Sequence, residues 1–99
     1  MISGIPKVTL TTPDQEAAKS FWIDQIGFDL VQDDTYGDER WIEVAAPDGM
    51  RLVLAAGQPG TKGVGPPNLP TSNIFFTCKD ILATHNEMVE RGVEFHTAP

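Results

Sequence analysis

The chain has 99 residues, seven Lys plus Arg against fourteen Asp plus Glu, a net charge of -7 and 40% apolar residues. This is the length of one domain, with a thin core that a second copy would help to bury. The acidic balance repels a polyphosphate, so nucleic acid is excluded as a partner. No apolar run approaches the roughly 20 residues of a membrane helix, and Met1-Ile2-Ser3-Gly4 lacks the basic and apolar regions of a signal peptide. The single cysteine, Cys78, cannot close an internal disulfide, and a cytoplasmic location is expected.

Val8 and Leu10 alternate with Lys7, Thr9 and Thr11, the period of a strand with two unlike faces. Thr12-Pro13-Asp14-Gln15 then predicts a helix start, with Thr12 as N-cap and Pro13 in the first turn. Ala18, Phe21, Trp22 and Ile26 give the helix an apolar stripe to lie on a sheet, and Gly27 ends it. Phe28 to Gln32 is extended, and the polar stretch Asp33 to Glu39 is a loop or an irregular hairpin. Trp41 to Ala45 and Arg51 to Ala55 form a hairpin around Pro47-Asp48-Gly49.

Four glycines and four prolines between Gly57 and Ser72 exclude helix and central strand, so this stretch is a linker. It ends no Gly-Lys-Ser/Thr motif and opens no helix, which rejects a phosphate loop. Asn73 to Cys78 is expected as a strand, Asp80 as the cap of a second helix with Ile81, Leu82, His85, Met88 and Val89 on its buried side, and Gly92 as its end before a strand at Val93-Glu94-Phe95. The halves are copies. A displacement of 66 residues puts Val8 on Ile74, Leu10 on Phe76, Asp14 on Asp80 and Ala17 on Ala83, and a one-residue slip inside the helix then brings Gly27 onto Gly92.

Val8-x-Leu10-x-x-x-Asp14, Ala17-x-x-x-Phe21-Trp22, Ile26-Gly27-Phe28, Arg40-Trp41-Ile42-x-Val44-Ala45-x-Pro47, Leu52-Val53-Leu54, Asp80-Ile81 and Glu90-Arg91-Gly92-Val93-Glu94-Phe95, in this order and with the duplication, resemble the glyoxalase, bleomycin-resistance and extradiol-dioxygenase (vicinal oxygen chelate) superfamily. The resemblance implies an α+β fold of paired βαβββ modules curled around a small-molecule site: module one at 5–56, linker 57–72 and an incomplete module two at 73–99. It also implies C-terminal strands beyond Pro99, so a truncated gene product or a fragment is expected.

Metal-dependent relatives hold a divalent ion with His, Gln or Glu on the first and last strands of each module. Carried across, the retained positions are Lys7, Val53 (with Arg51 one pleat away) and Asn73. A protonated lysine has no lone pair, valine has no donor, and an asparagine carbonyl is a weak ligand, so no metal or other cofactor is expected. Strand alternation puts Thr9, Trp41, Glu43, Asn73 and Phe75 forward as ligand-binding residues. Glu43 stands either in the cavity or exposed on its strand. His85 is expected as a helix residue without chemistry, His96 as a terminal one, and Cys78 as a buried, inert thiol.

The function expected is a small-molecule binding protein without a complete metal site, forming a homodimer, its acidic and aromatic hollow suited to a planar cation as in the drug-sequestering branch of the resembling family. The alternative is a divalent-metal-dependent lyase, isomerase or dioxygenase completed by missing strands or a partner chain.

Overall fold

The computed structural model describes residues 1–57 and 74–95 together with Thr97 and Pro99. The chain falls into two compact units, Met1–Thr61 and Lys62–Pro99. The expected linker, apart from Gly57, together with Asn73 and His96, lies outside the described residues.

The first unit is a complete βαβββ module. Its strands β1 (Lys7–Thr12), β2 (Asp29–Tyr36), β3 (Glu39–Ala45) and β4 (Arg51–Ala56) form one sheet in the order β1-β4-β3-β2. β1 runs parallel to β4, and the other pairs are antiparallel. The register places Thr9 beside Val53 and Val53 beside Glu43, so these three share one face of the sheet; Leu10, Leu54, Leu52 and Val44 share the other.

Asp33 to Glu39 is more regular than its polarity suggests. β2 continues to Tyr36, and a two-residue turn carries Gly37 at φ 63°, the left-handed geometry that lets so short a connection match the strand twist. A bulge at Val31, between the pairs Leu30–Val44 and Gln32–Glu43, shifts the alternation by one residue. Gln32, Asp34 and Tyr36 therefore join the Glu43 face, and Asp33 turns to the opposite one. The second hairpin closes at Gly49 (φ 92°), with Gly49 donating to the Ala46 carbonyl at 2.9 Å.

Helix α1 (Gln15–Ser20) is capped by Asp14, whose carboxylate accepts from Ala17 N at 3.0 Å. Thr12, the expected cap, instead hydroxyl-bonds the backbone of Asp14 and fixes the entry to the helix. The helix then widens into a π segment, Phe21–Gln25, with Ile26 N donating to Phe21 O at 3.0 Å. A π turn accommodates one inserted residue. This is the physical form of the one-residue slip between the halves: helix α2 (Ile81–Glu90), capped by Asp80 at 3.1 Å from both Leu82 N and Ala83 N, reaches its glycine one residue sooner. Both helices end the same way, with Gly27 and Gly92 at φ 90°.

Gln15 fastens α1 to the sheet, its amide donating to the carbonyls of Arg40 (2.8 Å) and Leu54 (2.9 Å). Beneath lies the core: Ile42, Val44, Leu52 and Leu54 are buried on the helix side, and Val53 on the other. Phe21 and Trp22, expected in the core, are half-buried; their rings meet edge to face at 5.3 Å, and Trp22 stacks on Phe28 at 5.4 Å.

The second unit differs more from expectation. Ile74–Cys78 and Val93–Phe95 carry no strand, Phe75 is 97% exposed, and Cys78 is exposed rather than buried. Without a ladder, alternation no longer assigns these side chains to an inner face. Ile81, Leu82 and Val89 on α2 are exposed as well, while His85 is half-buried with its ring 4.6 Å from that of Phe95.

Candidate functional site

The sheet face turned away from α1 carries an unusual group: Glu43 sits in the middle of β3 with only 2% of its surface exposed. An ionised carboxylate so placed needs charge and hydrogen-bond partners. The register supplies them, because Lys7 and Arg51 start the paired strands β1 and β4 on the same face. Lys7 Nζ donates to Glu43 Oε2 at 3.2 Å and lies 3.1 Å from Oε1. Trp41, two residues back on β3, donates its indole N–H to Oε2 at 2.6 Å, and Arg51 Nη1 stands 3.6 Å from Oε1. The Trp41 hydrogen bond first, then the Lys7 bond and the two cations, hold the Glu43 carboxyl below its ordinary range against the opposing effect of burial. Among the described residues, Glu43 Oε1 is the one buried side-chain polar atom that accepts no hydrogen bond, although it has charged neighbours.

Of the five residues put forward from the sequence, Thr9, Trp41 and Glu43 thus share one face on adjacent strands. Phe75 lies in the other unit, and Asn73 is outside the described residues. Lys7 and Arg51 complete the group. Sequence reading discounted them as metal ligands without recognising them as partners of Glu43; the parallel pairing of β1 with β4, which alternation alone does not give, is the signal that joins them.

These residues do not fit a divalent metal ion. The ammonium and guanidinium flanking Glu43 would repel it, Val53 offers no donor, and no group of three His, Cys, Asp or Glu side chains among the described residues could hold one. The same pairing changes the expectation of a cationic ligand, because the Glu43 charge is already matched by Lys7.

A second charge cluster, on the helix side, is structural. Asp33 accepts from Arg40 Nε (2.9 Å), Arg40 Nη2 (2.7 Å) and Lys19 Nζ (2.7 Å), while Arg40 Nη1 reaches Glu16 at 2.6 Å. The Arg40 and Lys19 bonds depress the Asp33 carboxyl well below the carboxylate range. A carboxyl whose folded value is lower than its unfolded one adds stability above about pH 4, and that contribution is lost as pH falls further. Urea unfolding should therefore show a midpoint that drops between pH 5 and pH 2.5, and Asp33→Asn should flatten that part of the profile. An unchanged profile in the variant would remove Asp33 from the acid response.

A family model described as Glyoxalase/Bleomycin resistance protein/Dioxygenase superfamily matches residues 4–99. The uncharacterized protein YetH of Bacillus subtilis (strain 168) is 39% identical over 102 residues, spanning 100% of this chain and 81% of its own. A superfamily member from Sphaerobacter thermophilus has a similar structure, with a TM-score of 0.78 and 26% identity over 99% of this chain and 78% of that one. TnmS3, an antibiotic binding protein from Streptomyces sp. CB03234, is 29% identical with a TM-score of 0.68, covering 94% of this chain and 74% of its own. Among the described residues no helix is long and apolar enough to cross a membrane. With its βαβββ module, its repeated Asp-capped and Gly-terminated helices and a match over nearly its whole length, the chain belongs to the glyoxalase/bleomycin resistance/dioxygenase superfamily.

Proposed function

We propose that the protein binds a small organic molecule on the Glu43 face without using a catalytic metal. The observation that carries this reading is Glu43 itself: a carboxylate 2% exposed, fixed by Trp41 and by Lys7, the lysine that stands at one of the positions where the resemblance puts metal ligands. A half-exposed indole beside oriented polar groups, including Thr9, is the make-up of a small-molecule site. The similarity to TnmS3, an antibiotic binding protein, supports the same class of ligand.

Titration with a panel of planar, drug-sized molecules, followed by tryptophan fluorescence in wild type and Trp41→Phe, is expected to reveal saturable binding that survives a chelator and is sensed at Trp41. Elemental analysis of the dialysed protein is expected to find less than one metal per ten chains. One bound metal per chain, chelator-sensitive binding or no ligand in the panel would overturn the proposal. The reading includes a homodimer, supported by β1, which among the described residues has a sheet neighbour on one side only. Light scattering should then give twice the 10.8 kDa chain mass; a persistent single-chain mass would remove this part.

A further inference from the structure

The chain is acidic, with a net charge of -7, yet the accessible charge at the centre of the Glu43 face is positive. Glu43 is buried and spends one negative charge on two cations. Those cations are the accessible partners: the Lys7 and Arg51 side chains are 40% and 46% exposed. An ammonium has three N–H donors, and the two Glu43 oxygens leave at least one of them unused. Arg51 stands at 3.6 Å, an ion pair too long for a hydrogen bond, so its fork of donors keeps its capacity for another acceptor. Trp41 and Lys7 donate to the same oxygen, Oε2, which makes the indole edge and the ammonium neighbours. The acidic residues of this face stand on β2 and at the start of β3: Asp29 pairs with Ala45, Asp34 with Trp41, and Glu39 with Tyr36 at the turn. The face is thus polarised across the sheet, positive on β1 and β4 and negative on β2, two strands away from Arg51.

We infer that the site selects a planar ligand bearing an anionic oxygen, a carboxylate or an acidic phenol, with its ring against Trp41 and its charge on Lys7 and Arg51. The inference rests on the small-molecule reading above and adds the ligand's charge to it. Charge-assisted bonds from both cations reward such a group at short range, whereas the repulsion from the chain's other carboxylates is screened beyond about 8 Å at physiological salt. A cationic ligand meets the opposite balance.

The test uses three probes on one ring system, naphthoic acid, naphthamide and naphthylmethylamine, titrated into the isotope-labelled full chain with the Trp41 indole N–H signal followed by NMR. The acid is expected to bind at least about tenfold more tightly than the amide, with the amine weakest, and to lose affinity as salt rises. In Arg51→Met, which leaves the Lys7–Glu43 pair in place, the acid's advantage should shrink to about threefold or less. An amide or amine that binds as tightly as the acid, an advantage unchanged in Arg51→Met, or no binding by any of the three while the wider panel yields ligands would each overturn the inference, and each leaves small-molecule binding standing. Should Arg51→Met not fold, the acid-to-amide ratio and the salt dependence of the wild type decide the matter alone.

Discussion

Ile42→Ala should lower the stability of the protein by about 3 kcal/mol, a large share of the roughly 5 to 15 kcal/mol that holds a domain of this size together. Ile42 is fully buried at the middle of β3. Its face is the one that α1 covers, because Arg40, on the same side two residues earlier, reaches Glu16 of that helix, and Gln15 bonds the Arg40 carbonyl. Removing three carbons there costs the transfer free energy of the lost atoms and leaves a cavity that a two-sided β-ladder cannot close. The melting temperature should fall by more than about 10 °C. Leu82→Ala is the matched contrast. Leu82 is 62% exposed on α2, and alanine is the better helix former, so the change should stay below about 1 kcal/mol. Thermal and urea unfolding of the two variants decide between this core and one centred on the second helix: equal losses would show that the face around Ile42 is not the principal core.

How much of this was legible in the sequence follows from which interactions are local. The stops of both helices and the cap of the second were readable, because such signals act within one turn; Asp80, Gly27 and Gly92 stand as expected, whereas Asp14 takes the capping place expected of Thr12. The hairpin around Gly49 was readable for the same reason. The π segment was visible only as an unexplained slip between two copies, since no side chain announces that a hydrogen bond will skip to the fifth residue. The bulge at Val31 was invisible, and with it the fact that Asp33 and Asp34 serve opposite faces. For the site, alternation correctly put Thr9, Trp41 and Glu43 on one face, but left open whether Glu43 was buried. That depended on Lys7 and Arg51 arriving from 36 residues before and 8 residues after it, which only the strand order β1-β4-β3 determines. The errors at Cys78 and Phe75 share one cause. The strand there was inferred from apolar alternation, and alternation does not assign faces in a segment that forms no strand among the described residues.

Lys7→Met is expected to destabilise the protein by about 2 kcal/mol at pH 7. This is below the cost of breaking a fully buried pair because the lysine itself is 40% exposed and Arg51 stays within reach. The loss comes from the partner rather than from the lysine: Glu43, 2% exposed, would keep its charge with only the Trp41 N–H and a guanidinium at 3.6 Å to hold it. Two consequences separate this from a simple packing defect. Combining Lys7→Met with Glu43→Gln removes both charges and keeps an acceptor for the Trp41 N–H, so the double variant should recover at least half of the loss, and the double-mutant cycle should give a coupling free energy of about 1 kcal/mol or more. The acid response should also change. In the wild type the Glu43 carboxyl is held below its ordinary value of 4.5, so its contribution is present above that pH and is lost as pH falls through the lowered folded value. Without Lys7 the folded value rises toward or above the unfolded one, and that part of the pH dependence vanishes or reverses. Urea midpoints for the four members of the cycle at pH 7 and pH 4 measure both effects. A Lys7→Met loss that is the same at the two pH values and is not relieved by Glu43→Gln would mean that the lysine contributes by packing alone, and that the carboxylate at the centre of the face is held by Trp41.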